Sequence, residues 1–360
     1  MSRWRGAPEA AVCAYSKCCS RYFLNPMSEP TPPLAPPEFL PHEVYIITPP
    51  QRRYWVHALL LLATIFTTLV IGARLENNFL TNQPAFSVAE DALPIFPLSW
   101  IMQQPARLLW GIPFSLTLMG ILLAHEMGHY LYCKKYDVYA TLPYFIPAPT
   151  LIGTLGAFIR IQSPIRSRAA LFDIGIAGPI AGFVVAVPVT IVGLVLSKGG
   201  ASPNDAFFGF PLIFRLLHAL VPFGGAKSVP FEQVLLHPIA IAGWVGMFAT
   251  SLNLLPGGQL DGGHIVFSVA PKMHKLISRG AIAILVPLGI FYWVGWLVWG
   301  VLLFLSGLRH PNVPLWPELD AKRRKLALVA VALLALTLVL APFKGGSLVD
   351  IILGIIYPQS

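Results

Sequence analysis

The sequence predicts an all-α polytopic membrane protein of about six transmembrane helices, carrying a small membrane-associated β-hairpin or strand element, and three observations lead there. Of 360 residues, 56% are hydrophobic and only 11% are charged, and the mean hydropathy is +0.68, far from the balance of a soluble domain. Apolar runs of about 20 residues recur, each enough to cross a ~30 Å hydrocarbon layer at ~1.5 Å per residue. Basic residues gather in alternate loops, as the positive-inside rule expects of a chain that crosses repeatedly. The net charge of +9 therefore reads as loop charge, and no basic, aromatic-laced patch suggests a nucleic-acid partner. The cysteines Cys13, Cys18, Cys19 and Cys133 have no CxxC spacing, which argues against a disulfide scaffold or a cysteine zinc ribbon. Cys133 reads as helix packing.

The elements follow in chain order. Residues 1–53 read as a disordered, Pro-rich cytoplasmic tail: 1–27 lack the apolar core of a signal peptide, and the stretch from Pro30 to Pro50 favours extended chain. Met27 is an alternative start. A membrane-embedded core is expected over 54–311 and a C-terminal transmembrane or interfacial segment over 312–360. The first span runs from Tyr54 to Ala73, preceded by Arg52 and Arg53. The loop from Arg74 to Arg107 holds only those two basic residues, so the N-terminus is placed in the cytoplasm. The second span, Gly111 to Cys133, returns inward and ends in Lys134 and Lys135; the next loop adds Arg160, Arg166 and Arg168. A third span covers Phe172 to Leu196, where Gly175, Ala177, Gly178, Ala181 and Gly182 permit close approach of another helix. Asp173, at its opening, reads as a helix N-cap. A fourth runs from Pro238 to Leu255. Ser278 to Gly307 is long for one crossing and short for two. One crossing would put Lys322, Arg323, Arg324 and Lys325 outside, whereas a re-entrant pair would keep them inside. A last span, Leu326 to Phe343, precedes a short interfacial stretch, Leu348 to Tyr357.

The chemistry begins with HEMGH at 125–129, near the end of the second span. On a helix His125 and His129 stand one turn apart on one face, a spacing that lets two imidazoles bind one zinc while Glu126 reaches a water at the metal. Such polar groups inside a span cost several kcal/mol unless they line a functional cavity. A catalytic zinc needs a third protein ligand and an open position. Asp261 is the first candidate, in NLLPGGQLDGGH at 253–264, where Pro256, Gly257 and Gly258 break the fourth span on the HEMGH side. His264 is the alternative. His57, His218, His237, His274 and His310, near span ends or in loops, read as solvated or interfacial.

These motifs, together with GTLGAFIRIQSPI, DIGIAGPIAG and the Asn253-x-x-Pro256 and Leu260-Asp261-Gly262 pattern, resemble the site-2 protease family of intramembrane zinc metalloproteases, over roughly Trp55 to Pro311. The resemblance implies one Zn²⁺ held by His125, His129 and Asp261, Glu126 as general base and Asn253 lining the catalytic site, in a form without a PDZ or CBS domain. The implied function is hydrolysis of peptide bonds within or near transmembrane segments of membrane proteins, with a transmembrane protein substrate and the lipid bilayer as partners. The expected location is a bacterial cytoplasmic membrane, with the N-terminus and active site toward the cytoplasm.

Cleavage requires the peptide to be extended, because a helix has its carbonyls engaged. Gly153 to Ile165 alternates in strand period and reads as an edge strand, with Gly156, Ala157, Phe158, Ile159 and Arg160 as substrate-binding residues to which a substrate strand could add. Two other readings compete: a membrane zinc transporter, since His and Asp in spans also mark ion paths, and a catalytically inactive adaptor. Clustering of the ligands at one depth disfavours the first, and the intact Glu126 disfavours the second.

Overall fold

The computed structural model describes residues 53–86, 93–199, 209–220, 234–305, 313–314, 316–343 and 345–357. The Pro-rich tail expected over 1–53, with Cys13, Cys18, Cys19 and Met27, lies outside the described residues except for Arg53, as does His310. The described residues all belong to one compact unit, Arg52–Ser360.

The first helix, α1 (Tyr54–Leu80), has no acidic residue in its first turn and no proline along its length. It ends where Asn82 adopts a φ of 55°. A short helix α2 (Leu98–Gln103) and a 3₁₀ segment (Pro105–Gly111) lead into α3 (Ile112–Lys135). Thr68 of α1 and Ser115 of α3 share a buried hydroxyl contact of 2.7 Å. Helix α4 (Arg168–Leu196) opens on Ser167, whose hydroxyl accepts from the Ala170 N–H at 3.2 Å. Asp173 therefore sits inside the helix and is not its cap. After α5 (Leu212–Leu220), α6 (Pro238–Asn253) packs against both α3 and α4 and is buried along most of its length. Phe114, Leu118 and Ile121 of α3, Ala186 and Leu194 of α4, and Ala240, Val245 and Met247 of α6 form the main core. Cys133 packs fully buried beside Val138 and Ile174, as helix packing requires.

Past α7 (Asp261–Val269), α8 (His274–Phe291) and α9 (Gly295–Leu305) pack on one another across the short 292–294 turn. The described part of the 278–307 stretch, 278–305, is thus a helical pair. Helix α10 (Ala321–Thr337) then returns along α4, α6 and α7, and α11 (Leu348–Ile356) starts with a capping box between Ser347 and Asp350. Among the described residues four helices, α1, the 105–135 segment, α4 and α8, are long and apolar enough to cross a membrane. At 16 and 17 residues, α6 and α10 are about 24–26 Å long at ~1.5 Å per residue, just short of a full crossing.

The expected strand is real but shorter than the alternation suggests. Antiparallel β1 (Tyr144–Pro147) and β2 (Thr154–Phe158) pair Tyr144 with Phe158 and Phe145 with Ala157. A further bridge joins Ala140 and Ile161. The hairpin is pinned to α1: the Thr67 hydroxyl donates to Gly153 O at 2.6 Å. Gly153 has a φ of +77°, and a Cβ there would sit 2.8 Å from Thr67 O, so both conformation and space demand glycine. A second pair, β3 (Lys198–Gly199) and β4 (Val234–Leu235), is two residues long.

Candidate metal centre

HEMGH lies on α3, and the helix keeps His125 and His129 on one buried face with ring centroids 5.0 Å apart. Asp261 enters from the first turn of α7. Its position depends on the 254–260 segment between α6 and α7, where the Gly258 N–H donates to Ser278 Oγ at 3.3 Å and His274 Nε2 bonds Gly258 O at 3.3 Å. His125 Nε2 and His129 Nε2 reach the same oxygen, Asp261 Oδ2, at 3.2 and 3.3 Å. Ligand atoms of the three residues all fall within 4.8 Å of one another, and this is the one group of three or more potential ligands among the described residues. Two imidazole nitrogens and one carboxylate, converging and mostly buried, match the donor set of a zinc site with a position left open. The residues fit the metal.

The His129 imidazole is held from behind. The Nδ1–H of His129 donates to Ile174 O of α4 at 2.7 Å, which leaves Nε2 for the metal. Room for that ring comes from α4: a Cβ on Gly178 would collide with His129 Nε2. This is the physical content of the small-residue run in DIGIAGPIAG. Asn253, at the C-terminal end of α6, brings Nδ2 to 3.4 Å from His125 Nε2. Glu126 is buried beside the ligands, its carboxylate within reach of the Ile159 backbone.

Two cavities meet at Glu126. One, of about 200 Å³, holds His125, Glu126, His129, Asn253 and Asp261 and is bounded by Ala157, Phe158 and Ile159 of the hairpin. The other, of about 330 Å³, is mainly apolar and runs from His125 and Glu126 along Leu155 to Val245, Phe248 and Trp293. His264, the alternative third ligand, stands in the wall of the first cavity and outside the metal cluster.

The hairpin presents an edge to this space. Thr141 N–H donates to Arg160 O at 3.0 Å and Gln162 N–H to Tyr139 O at 2.8 Å, while Arg160 N–H is taken by the Thr141 hydroxyl. The backbones of Arg160 and Gln162 thus face the 139–141 segment, and those of Ile159 and Ile161 face the cavity. Of the expected substrate-binding residues, Gly156, Ala157, Phe158 and Ile159 line one or both cavities; Arg160 turns its backbone away.

Several groups escape the sequence reading. His274 is buried and supports the Gly258 turn, His237 caps α6 by accepting from Ile239 N–H, and His57 stacks on Tyr144 while bonding Pro143 O; none of the three is merely solvated. Asp173 is buried and paired with Arg323 of α10 and with Tyr136, which caps α3. Burial, and then the bond to the Asp173 carboxylate, raises the Tyr136 phenol above its ordinary pKa, so it remains a donor. Nothing in the local sequence pairs residues so far apart.

A two-His, one-carboxylate cluster inside a bundle of apolar helices, with a glutamate between its histidines, defines a membrane protein of the zincin type. The chain belongs to peptidase family M50, whose family model matches residues 113–295. It is 34% identical over 239 residues to "Probable zinc metalloprotease EGY1, chloroplastic" of Arabidopsis thaliana, covering 64% of this chain and 43% of that protein. With the rice protein of the same name it shares 33% identity over 64% of this chain and 40% of the relative. With "Probable zinc metalloprotease EGY2, chloroplastic" of Arabidopsis thaliana it shares 29%, over 72% of this chain and 45% of the relative. The chain thus spans less than half the length of these relatives.

Proposed function

We propose that the protein is an intramembrane zinc metalloprotease that cleaves a transmembrane protein substrate within or near its membrane-spanning segment. The observation that carries this reading is the placement of Glu126 between the metal-ligand set and the Ile159 edge of the hairpin, at the mouth of an apolar cavity. Zinc, when bound, supplies Lewis acidity to the scissile carbonyl and to water. The chain's own groups do the rest. Glu126 takes the proton of the attacking water and delivers it to the leaving amine. Asn253 aims its amide into the same space, where it donates to the carbonyl oxygen as that oxygen gains charge. Main-chain groups of Ile159 and Ile161 pair with the unwound substrate segment and hold it extended. The apolar cavity along Leu155 and Phe248 takes the adjoining, still apolar part of the substrate.

The protein is integral to a membrane, and its EGY relatives are chloroplastic plant proteins. The finer address in this proposal is a bacterial cytoplasmic membrane; the loop charges bear on orientation alone and put the site on the side of the basic 134–168 loop. The test is turnover: the full chain in lipid nanodiscs should cut a tagged single-pass protein, and the Glu126→Gln variant should not. Zinc uptake into liposomes that persists in the Glu126→Gln protein, without any cleavage by wild type, would favour the transporter reading.

A further inference from the structure

Behind the metal centre a line of hydrogen bonds runs into a helix beyond the segment matched by the family model. It starts at His129, whose Nδ1–H is held by Ile174 O. The preceding residue, Asp173, receives a two-pronged bond from Arg323 of α10: Nε to Oδ1 and Nη2 to Oδ2, both at 2.7 Å. Tyr136 donates its hydroxyl to the same Oδ2 and accepts from Arg323 Nη2 at 3.1 Å. Arg323 is itself oriented by Asp320, with Nη1 2.9 Å from Oδ1. One guanidinium therefore ties the end of α3, the second turn of α4 and the start of α10 together.

The same helix also backs the third ligand. Ala330 and Leu333 of α10 share a buried cluster with Phe172 and Ile176 of α4, Leu254 after α6 and Ile265 of α7. Phe172 and Ile176 flank the Asp173–Ile174 peptide, and Ile265 lies one turn beyond Asp261. A fork-on-carboxylate pair is directional, unlike a point charge. With the Asp173 side chain only 11% exposed, it adds a restraint on the rotation of α4 about its axis, and with it on the direction of the Ile174 carbonyl. A metal-bound imidazole depends on that outer partner for both tautomer and ring orientation.

We propose that Arg323 is a positioning residue for the metal centre: through Asp173 it sets the Ile174 carbonyl that orients His129, so that tight zinc binding requires helix α10. This rests on the zinc reading of the site. The experiment measures zinc affinity of the full chain in detergent by chelator competition, together with the visible spectrum of the cobalt-loaded protein and the unfolding temperature of the metal-free protein. The proteins compared are wild type, Arg323→Gln, Arg323→Lys and Tyr136→Phe.

Arg323→Gln is expected to weaken zinc by about 10- to 100-fold, the usual cost of losing an outer-shell partner, and to change the cobalt bands. Arg323→Lys, which keeps the charge but loses the fork, should recover only part of the affinity. Tyr136→Phe should shift it less, in the same direction, and serves as the readout if the glutamine variant does not fold. Wild-type zinc affinity and cobalt bands in all three variants, with only the unfolding temperature lowered, would overturn the proposal and leave Arg323 as a tether for α10. Wild type that binds no zinc would instead overturn the metal site itself.

Discussion

His125, Glu126 and His129 owe their arrangement to helical spacing alone, and that is why this part of the site can be read from five letters of sequence. The choice of Asp261 over His264 is harder to read. Both sit in one Gly-rich segment, and only the packing of α7 against α4 and α8 separates a ligand from a wall residue. Asp173 marks the opposite case. Its place near the start of an apolar run suggests a cap, but the true cap, Ser167, lies outside that run, because Arg168 begins the helix before the apolar residues do. Glu126→Gln keeps the shape of the carboxylate but cannot take a proton. Peptide cleavage should fall by about 10²- to 10⁴-fold while bound zinc, measured by elemental analysis, stays near one per chain. Gly178→Ala drives a methyl into the His129 ring. That ring or α4 must move, so zinc affinity should drop at least about 10-fold, and unchanged zinc binding would show that the helices part freely.

At the level of elements, the period-2 alternation from Gly153 onward announces a strand, whereas its partner is hidden. β1 is four residues ending in Pro147 and preceded by Pro143, a composition that reads as a turn. Which edge is open could not be read either, since alternation fixes side-chain faces and not hydrogen-bond direction. The bonds from Thr141 and Gln162 now give that direction. Proline at Ile159 or Ile161 removes an N–H that faces the cavity and should slow cleavage strongly with zinc content unchanged. Proline at Gln162 removes a bond inside the hairpin and should instead lower the unfolding temperature. Equal, mild effects on turnover at 159, 161 and 162 would mean the hairpin only connects α3 to α4.

For the whole molecule, hydropathy marks the long helices well, and its failures are informative. The 278–307 stretch is ambiguous by length; its described residues, 278–305, form the α8–α9 pair, and farther along the chain Arg323 reaches Asp173 near the α3–α4 loop. The basic run 322–325 and the basic 134–168 loop thus share one end, in agreement with the positive-inside rule. Single cysteines introduced at Lys135 and Lys322, with the native cysteines replaced by serine, should react with a membrane-impermeant maleimide from the same side of sealed vesicles. Labelling from opposite sides would contradict the fold.

The central claim is that the His125–His129–Asp261 centre with Glu126 cuts peptide bonds inside the membrane, and mass spectrometry of reaction products tests it most directly. Wild-type protein in nanodiscs, incubated with a single-pass substrate, should yield fragments that end within or beside the transmembrane segment. The fragments should vanish with a zinc chelator, return with added zinc and be absent with Glu126→Gln. Fragments of the same mass from the Glu126→Gln protein, or none from zinc-replete wild type against any of several single-pass substrates, would contradict the account.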